Sequence, residues 1–189
     1  MAIFSRIASI IFLVAIATFS GGCAHVVNPK EAPEIGLDAV GPFQAGYSVQ
    51  FINNQPDTTP KLFAGIGGHT YLANYNEWTQ FYINQFSKEL TKRNVTVSNE
   101  STNVMKVALS QFAYFQGFAV VRVNMTVKLE SSDGKWFKVY EETDTSGWSM
   151  GRAFGSVVYH SIEKILHDRE VIERMRVNPV VISPVTEGK

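Results

Sequence analysis

FAVVRVNMTVKLE, residues Phe118 to Glu130, alternates strictly between apolar and polar side chains along most of its length. Ala119, Val121, Val123, Met125, Val127 and Leu129 interleave with Val120, Arg122, Asn124, Thr126, Lys128 and Glu130. A period of two describes a strand with one buried face and one wet face. Upstream, Gln116-Gly117 reads as a tight turn and Val104–Phe115 as the antiparallel partner. Downstream, a three-residue Ser132-Asp133-Gly134 loop, with Gly134 at positive φ, pairs Ser131 with Lys135. Leu129 then faces Phe137 and Val127 faces Val139. A two-residue turn would set Lys138 opposite Leu129, which the hydrophobic pattern disfavours. The strand runs on to about Thr145 and becomes polar.

On either side of this hairpin pair the period changes to 3.6. Asn74-Tyr75-Asn76-Glu77 has the spacing of a capping box, Glu77 lying three residues beyond the N-cap. Tyr75, Trp78, Tyr82, Phe86 and Leu90 share one face of the helix that follows, with Glu77, Asn84, Lys88 and Thr91 opposite. Lys92 and Arg93 suit the C-terminal dipole, and Asn94 is the left-handed stop. A second helix is expected near Gly151–Asp168, with Phe154, Val158, Ile162 and Ile165 inward and Ser156, His160, Glu163 and His167 outward. Arg169–Arg176 reads as a third short helix or a continuation. Gly46–Asn53 reads as a first strand, Asn54–Lys61 as a polar loop, Leu62–Ala73 as an apolar, glycine-broken connection, and Val95–Val97 as a short strand.

The first 22 residues have a different character. Arg6 is their only charge, and Ile7–Phe19 is a continuous apolar run. That run is short for a membrane-spanning helix, which needs about 20 residues, and suits the core of an export signal. Small residues Ser20, Gly21 and Gly22 precede Cys23, the only cysteine in the chain. The stretch resembles the prolipoprotein lipobox, with Ser20 where Leu or Val is commoner. The resemblance implies removal of residues 1–22 and palmitate-type acylation of Cys23, which anchors the chain in a membrane. Ala24, in place of the Asp that retains such proteins at the inner membrane, implies the outer membrane, with the domain facing the periplasm. Residues 23–45, with Pro29, Pro33 and Pro42, read as a lipidated tether holding an extended piece near Ile35–Val40.

Cleavage of 22 residues from 189 leaves 167, enough for one domain with a sizeable core. The assignment is therefore signal 1–22, tether 23–45, domain 46–177 and irregular tail 178–189. The element order predicts an α+β fold: a mainly antiparallel sheet of four to five strands with two helices on one face. That order behind a lipobox resembles small envelope lipoproteins of the YajG kind, and more loosely the auxiliary lipoproteins of envelope transporters. The likeness is architectural and transfers no functional residue.

Charge is balanced, with 17 basic and 17 acidic residues in the whole chain, so nucleic acid is not an expected partner. With Cys23 acylated, no thiol remains for a disulfide, a thiolate metal site or a nucleophile. Gly65, Gly67, Gly68 and His69 form a glycine-rich loop of the kind that can face a ligand, but they lack the spacing of a dinucleotide or phosphate loop. His160, Glu163 and His167 lie together on the polar helix face, without the further ligand a metal site needs. Phe81 falls off the inner helix face. Phe112, Tyr114 and Phe118 flank a hairpin tip, and these four aromatics are the candidates for an exposed contact patch.

These readings predict no cofactor, no metal and no catalytic group. They predict a binding or accessory module of an envelope complex, touching the membrane through Cys23 and an envelope protein through its surface. Two alternatives stand beside it: carriage of a lipid or glycolipid between helices and sheet, and an enzyme acting on envelope polymer. A greasy pocket favours carriage. A closed core with an exposed aromatic rim favours docking.

Overall fold

The three long strands of the sequence fold as an antiparallel meander that carries both long helices on one face. The computed structural model describes residues 23–147 and 149–177. The predicted export signal at 1–22 and tail at 178–189 lie outside the described residues, as does Trp148. In chain order the elements are β1 (Ala24–Val26), β2 (Ser48–Asn53), β3 (Lys61–Ile66), β4 (His69–Ala73), α1 (Tyr75–Lys92), β5 (Thr96–Val97), β6 (Val104–Gln116), β7 (Val121–Ser131), β8 (Phe137–Ser146), α2 (Met150–Leu166) and α3 (Arg169–Glu173). The larger sheet has the order β5-β2-β6-β7-β8 and a smaller one β1-β4-β3. The fold is α+β and mixed, because β2 runs parallel to both β5 and β6. A parallel pair needs a long crossover, which β3, β4 and α1 supply.

Asn74 caps α1 through its side chain, which accepts from the backbone N–H groups of Asn76 and Glu77. Asn94 takes the left-handed conformation at φ 67° and stops the helix. The inner stripe of α1 is buried against β6 and β2, and the α2 stripe of Phe154, Val158, Ile162 and Ile165 is buried on β7 and β8. Each large apolar side chain so placed contributes about 1.5–3 kcal/mol. Between the helices Trp78 lies 5.0 Å from Phe154, and the Tyr82 hydroxyl meets Ser161 Oγ at 2.9 Å.

A bulge shifts the register of β6 between Leu109 and Gln111. Before it Met105, Val107 and Leu109 face inward; after it Phe112 and Tyr114 do. The bulge leaves ladder groups that must find other partners. Helix α1 provides them: Thr79 Oγ1 accepts from Leu109 N at 3.0 Å, and the Tyr75 hydroxyl accepts from Phe112 N at 3.2 Å. Gln55 Nε2 donates to Leu109 O. Buried polar Thr79 and Gln55 are thus explained by a backbone defect.

The β7–β8 register departs from the sequence reading. Leu129 pairs with Lys138, Val127 with Tyr140 and Glu130 with Phe137. One large ring, Tyr140, wins the inward position over Phe137 and Val139, which turn outward at 60% and 47% exposure. Lys138 sits on the inner side at the rim, where Asp168 and Glu170 hold its ammonium at 2.6 and 3.1 Å. Its flexible stem makes that position tolerable.

Residues 23–45 are not a free tether. They form a strap across the helices, beginning with β1, which adds to β4 in parallel. The indole N–H of Trp78 donates to Val27 O at 2.9 Å, and Ile35 and Val40 are buried. Residues 37–40 form a turn and bend where an extended piece was expected. The lock is Arg93, fully buried, whose side chain is bonded to Glu89 and to four backbone carbonyls. Its Nε donates to Val40 O, and Nη2 donates to Ile35 O and Gly36 O. Nη1 donates to Glu89 O and pairs with the Glu89 carboxylate, which in turn accepts Ile35 N. Gly155 permits the close approach: a Cβ there would stand 2.7 Å from Glu31 O. The tight contact is with the strap, not with the sheet.

Candidate functional site

Cys23 is exposed and leads straight into β1. Its carbonyl accepts Thr70 N at 3.0 Å, which fixes it beside β4 at one end of the small sheet. At the same end His25 Nε2 and His69 Nδ1 are 2.9 Å apart, so one ring donates and the other accepts. No cluster of three or more metal-ligating side chains exists among the described residues. Gly67 and Gly68, at φ 58° and 79°, are the two central residues of the β3–β4 hairpin turn. Two consecutive positive φ values are what such a hairpin asks of its residues. The glycine-rich stretch is therefore built as strand and turn: Gly65 pairs with Thr70 inside the ladder, and Ile66 pairs with His69. The short apolar run Leu62–Ile66, ended by two glycines, was the available signal for this hairpin.

The predicted aromatic patch divides. Phe112 and Tyr114 are core residues, contrary to expectation, because the β6 bulge changes the phase of the strand. Phe112 packs among Tyr75, Trp78 and Phe154. Phe118 is 95% exposed. Phe115 on β6, which is not among the sequence candidates, is 57% exposed. The turn is also displaced from Gln116-Gly117: Gly117 N donates to Val120 O at 2.8 Å, so Phe118 and Ala119 form its apex.

Phe81 is half-buried at the mouth of a groove between the strap and the helices. Val27, Tyr71, Trp78, Met150 and Phe154 line it with Phe81, and it holds about 310 Å³. Lys30 and Glu31 stand at its edge. The opposite end of the sheet carries a larger polar cleft of about 550 Å³. Asn103, Lys135, Trp136, Arg174 and Arg176 are among its lining residues. Arg174 stacks over the Trp136 ring at 4.2 Å, and Arg176 is held by Glu173 and the Tyr47 hydroxyl. No local sequence pattern signals this cleft, since its residues come from four separated segments.

The titratable groups displaced from their ordinary values serve the fold. Burial pushes the Tyr82 phenol far up. Burial also raises the Asp168 carboxyl, but the Lys138 ammonium and Tyr140 hydroxyl outweigh it and hold the group below its usual range. Burial first, and then the same contact, raises Tyr140. His160 lies 3.7 Å from Asp144 and 3.3 Å from Glu163, an exposed ion-pairing position, while His167 is the C-cap of α2.

No helix among the described residues is long and apolar enough to cross a membrane. No protein-family profile and no curated protein matches this chain. One similar solved structure, described as a crystal structure of an uncharacterized protein, is 8% identical with a TM-score of 0.35, covering 80% of this chain and 94% of that one. A likeness that distant carries no argument about function.

Proposed function

We propose that this protein is an outer-membrane lipoprotein, held by acyl chains on Cys23, whose periplasmic domain is a binding or accessory module of an envelope complex. The observation that carries the reading is the position of Cys23. It stands exposed at the edge of the domain, behind a lipobox-like sequence and directly before a paired strand. Each acyl methylene buried in a bilayer contributes about 0.8 kcal/mol, so several chains make the attachment effectively permanent.

Binding is favoured over carriage by where the apolar surface lies. The core is continuous from the strap to α3, while Phe115, Phe118, Phe137 and Val139 remain outside. The groove beside Phe81, at about 310 Å³, falls at the low end of the roughly 300–1,000 Å³ of small-molecule sites. Phe137 and Val139, on the outer face of edge strand β8, with Lys128 over the Phe137 ring, offer a protein partner an apolar strip bordered by charge.

The test is Cys23→Ala in cells grown with radiolabelled palmitate. Label and membrane retention should both vanish while the protein stays folded. Persistent labelling of the variant removes the anchor. Crosslinking in intact cells from Phe137 or Val139 should then capture one discrete envelope protein; capture of none removes the docking role.

A further inference from the structure

The apex of the β6–β7 hairpin breaks a local rule. Two-residue hairpin turns favour Asn, Asp and Gly, which suit the geometry and water. Here the apex is Phe118-Ala119, flanked by exposed Phe115 and Val120. Such a departure from local preference is expected where function demands it.

Contacts along the small sheet show which end of the molecule this apex occupies. Tyr75 meets Phe112 at 5.6 Å, and Tyr71 meets Tyr114 at 5.8 Å. Moving from Phe112 toward the apex therefore means moving down β4 toward His69, beside which Cys23 is bonded through Thr70. The other elements agree. Ser146, the last residue of β8, pairs with Val121 below the apex, and Met150 at the start of α2 shares the groove with His25 and Val26. Cys23, the Gly67-Gly68 turn and Phe118 thus lie at one end.

That end also has a distinct charge. The turn and strand-end segments that form it, 23–25, 65–70, 115–122, 145–147 and 149–152, contain no Asp or Glu, and their full charges are Arg122 and Arg152, both exposed, while Lys30 and Glu31 line the groove at the same end. Arg122 pairs across the ladder with Phe115. The opposite end is mixed in charge, with Asp133 and Glu173 beside Lys135, Arg174 and Arg176. Aromatic side chains beside arginines, free of carboxylates, match the interface of an anionic bilayer.

We infer that the β6–β7 apex is a second membrane contact, with Phe118 and Phe115 entering the headgroup region of the leaflet that holds Cys23. This rests on the acylation of Cys23 proposed above. The acyl chains keep the protein on the membrane, and the aromatic apex sets its tilt and turns the polar cleft toward the periplasm.

The test uses the full, acylated chain in vesicles of phosphatidylethanolamine and phosphatidylglycerol. Acylation leaves no free thiol, so Phe118→Cys accepts an environment-sensitive nitrobenzoxadiazole dye at that position alone, and Ser132→Cys places it at the far end. Headgroup-depth doxyl lipids should quench position 118 at least about fivefold more than position 132, as insertion of about 5–10 Å requires. Equal, water-like behaviour of both dyes on vesicle-bound protein overturns the inference and leaves the anchor standing. Dye attached at Cys23, or protein that does not float with the vesicles, overturns the anchor and the inference with it. A position 118 that is wet on pure lipid but shielded in native membranes also overturns it, and assigns the apex to a protein.

Discussion

Arg93→Ala is the perturbation that tests whether residues 23–45 belong to the domain. The Arg93 side chain is fully buried, and its Nε, Nη1 and Nη2 donors are engaged by four carbonyls and the Glu89 carboxylate. Truncation leaves Glu89 buried without its counter-charge, strands the carbonyl of Val40, and opens a cavity, while the carbonyls of Ile35 and Gly36 keep Lys92 Nζ and the Ala39 and Val40 amides. Breaking one partner of a buried pair costs about 3–5 kcal/mol. For a domain of this size that corresponds to a fall in Tm of about 6–20 °C. Arg93→Lys should lose less, since it keeps a charge for Glu89 but offers three donors where arginine has five. Urea unfolding of wild type and both variants, followed by tryptophan fluorescence, gives the ordering. Amide exchange at Ile35, whose N–H is held by Glu89, should rise in step with it. A loss under about 1 kcal/mol for Arg93→Ala, with Ile35 still protected, would refute the claim that this residue locks the strap.

Three other substitutions have their sign fixed by the structure. Gly155→Ala, which on helix propensity alone gains about 1 kcal/mol, should instead lose about 1–3 kcal/mol because its Cβ meets Glu31 O at 2.7 Å. Gly151→Ala has nothing within 4 Å and should gain a few tenths of a kcal/mol; thermal unfolding of the pair decides it, and a gain at both positions would show that the strap does not press on α2. Asp168, depressed by Lys138 and Tyr140, contributes stability that is present above its unfolded value of about 3.9 and is lost as pH falls through the lower folded value. The stability gap between wild type and Asp168→Asn should therefore be full at neutral pH and close below about pH 4; a gap unchanged down to pH 2 would remove Asp168 from the acid response.

Local patterns in the sequence are enough for the helices. The stripe from Tyr75 to Leu90, the Asn74 cap and the Asn94 stop depend on neighbours within a turn or two, and the structure has them all. What local pattern does not reveal depends on distant partners. The β6 bulge is stabilised by Thr79, Tyr75 and Gln55, and no inspection of residues 104–116 alone shows that those groups are waiting. The phase change then decides that Phe112 and Tyr114 are core and Phe115 is surface. The β7–β8 register is decided likewise by Asp168 and Glu170, about thirty residues on, which make an inward Lys138 tolerable. Residues 23–45 look like a linker in sequence because prolines and scattered charge look alike in a packed, hydrogen-bonded segment and a loose one. Its one legible clue was Arg93 four residues after Glu89, a helix spacing that is usually solvent-exposed.

The packed strap changes what the proposed anchor implies. Twenty-odd free residues at about 3.3–3.6 Å each would let a domain range some 75 Å from the bilayer and rotate without restraint. Here no free residue separates Cys23 from β1, and β1 is held by β4 through the Ala24–Thr70, His25–Tyr71 and Val26–Leu72 pairs. An acylated Cys23 then fixes a point on a rigid body within a few ångströms of the headgroups. One fixed point leaves the domain free to tilt and spin about it. A second contact removes the tilt, and the exposed surface suited to that is the carboxylate-free apex at Phe118. Held at both points, the long axis of the β6–β7–β8 meander stands up from the membrane, which puts the Trp136–Arg174 cleft a full strand length away, where a soluble or spanning partner can reach it.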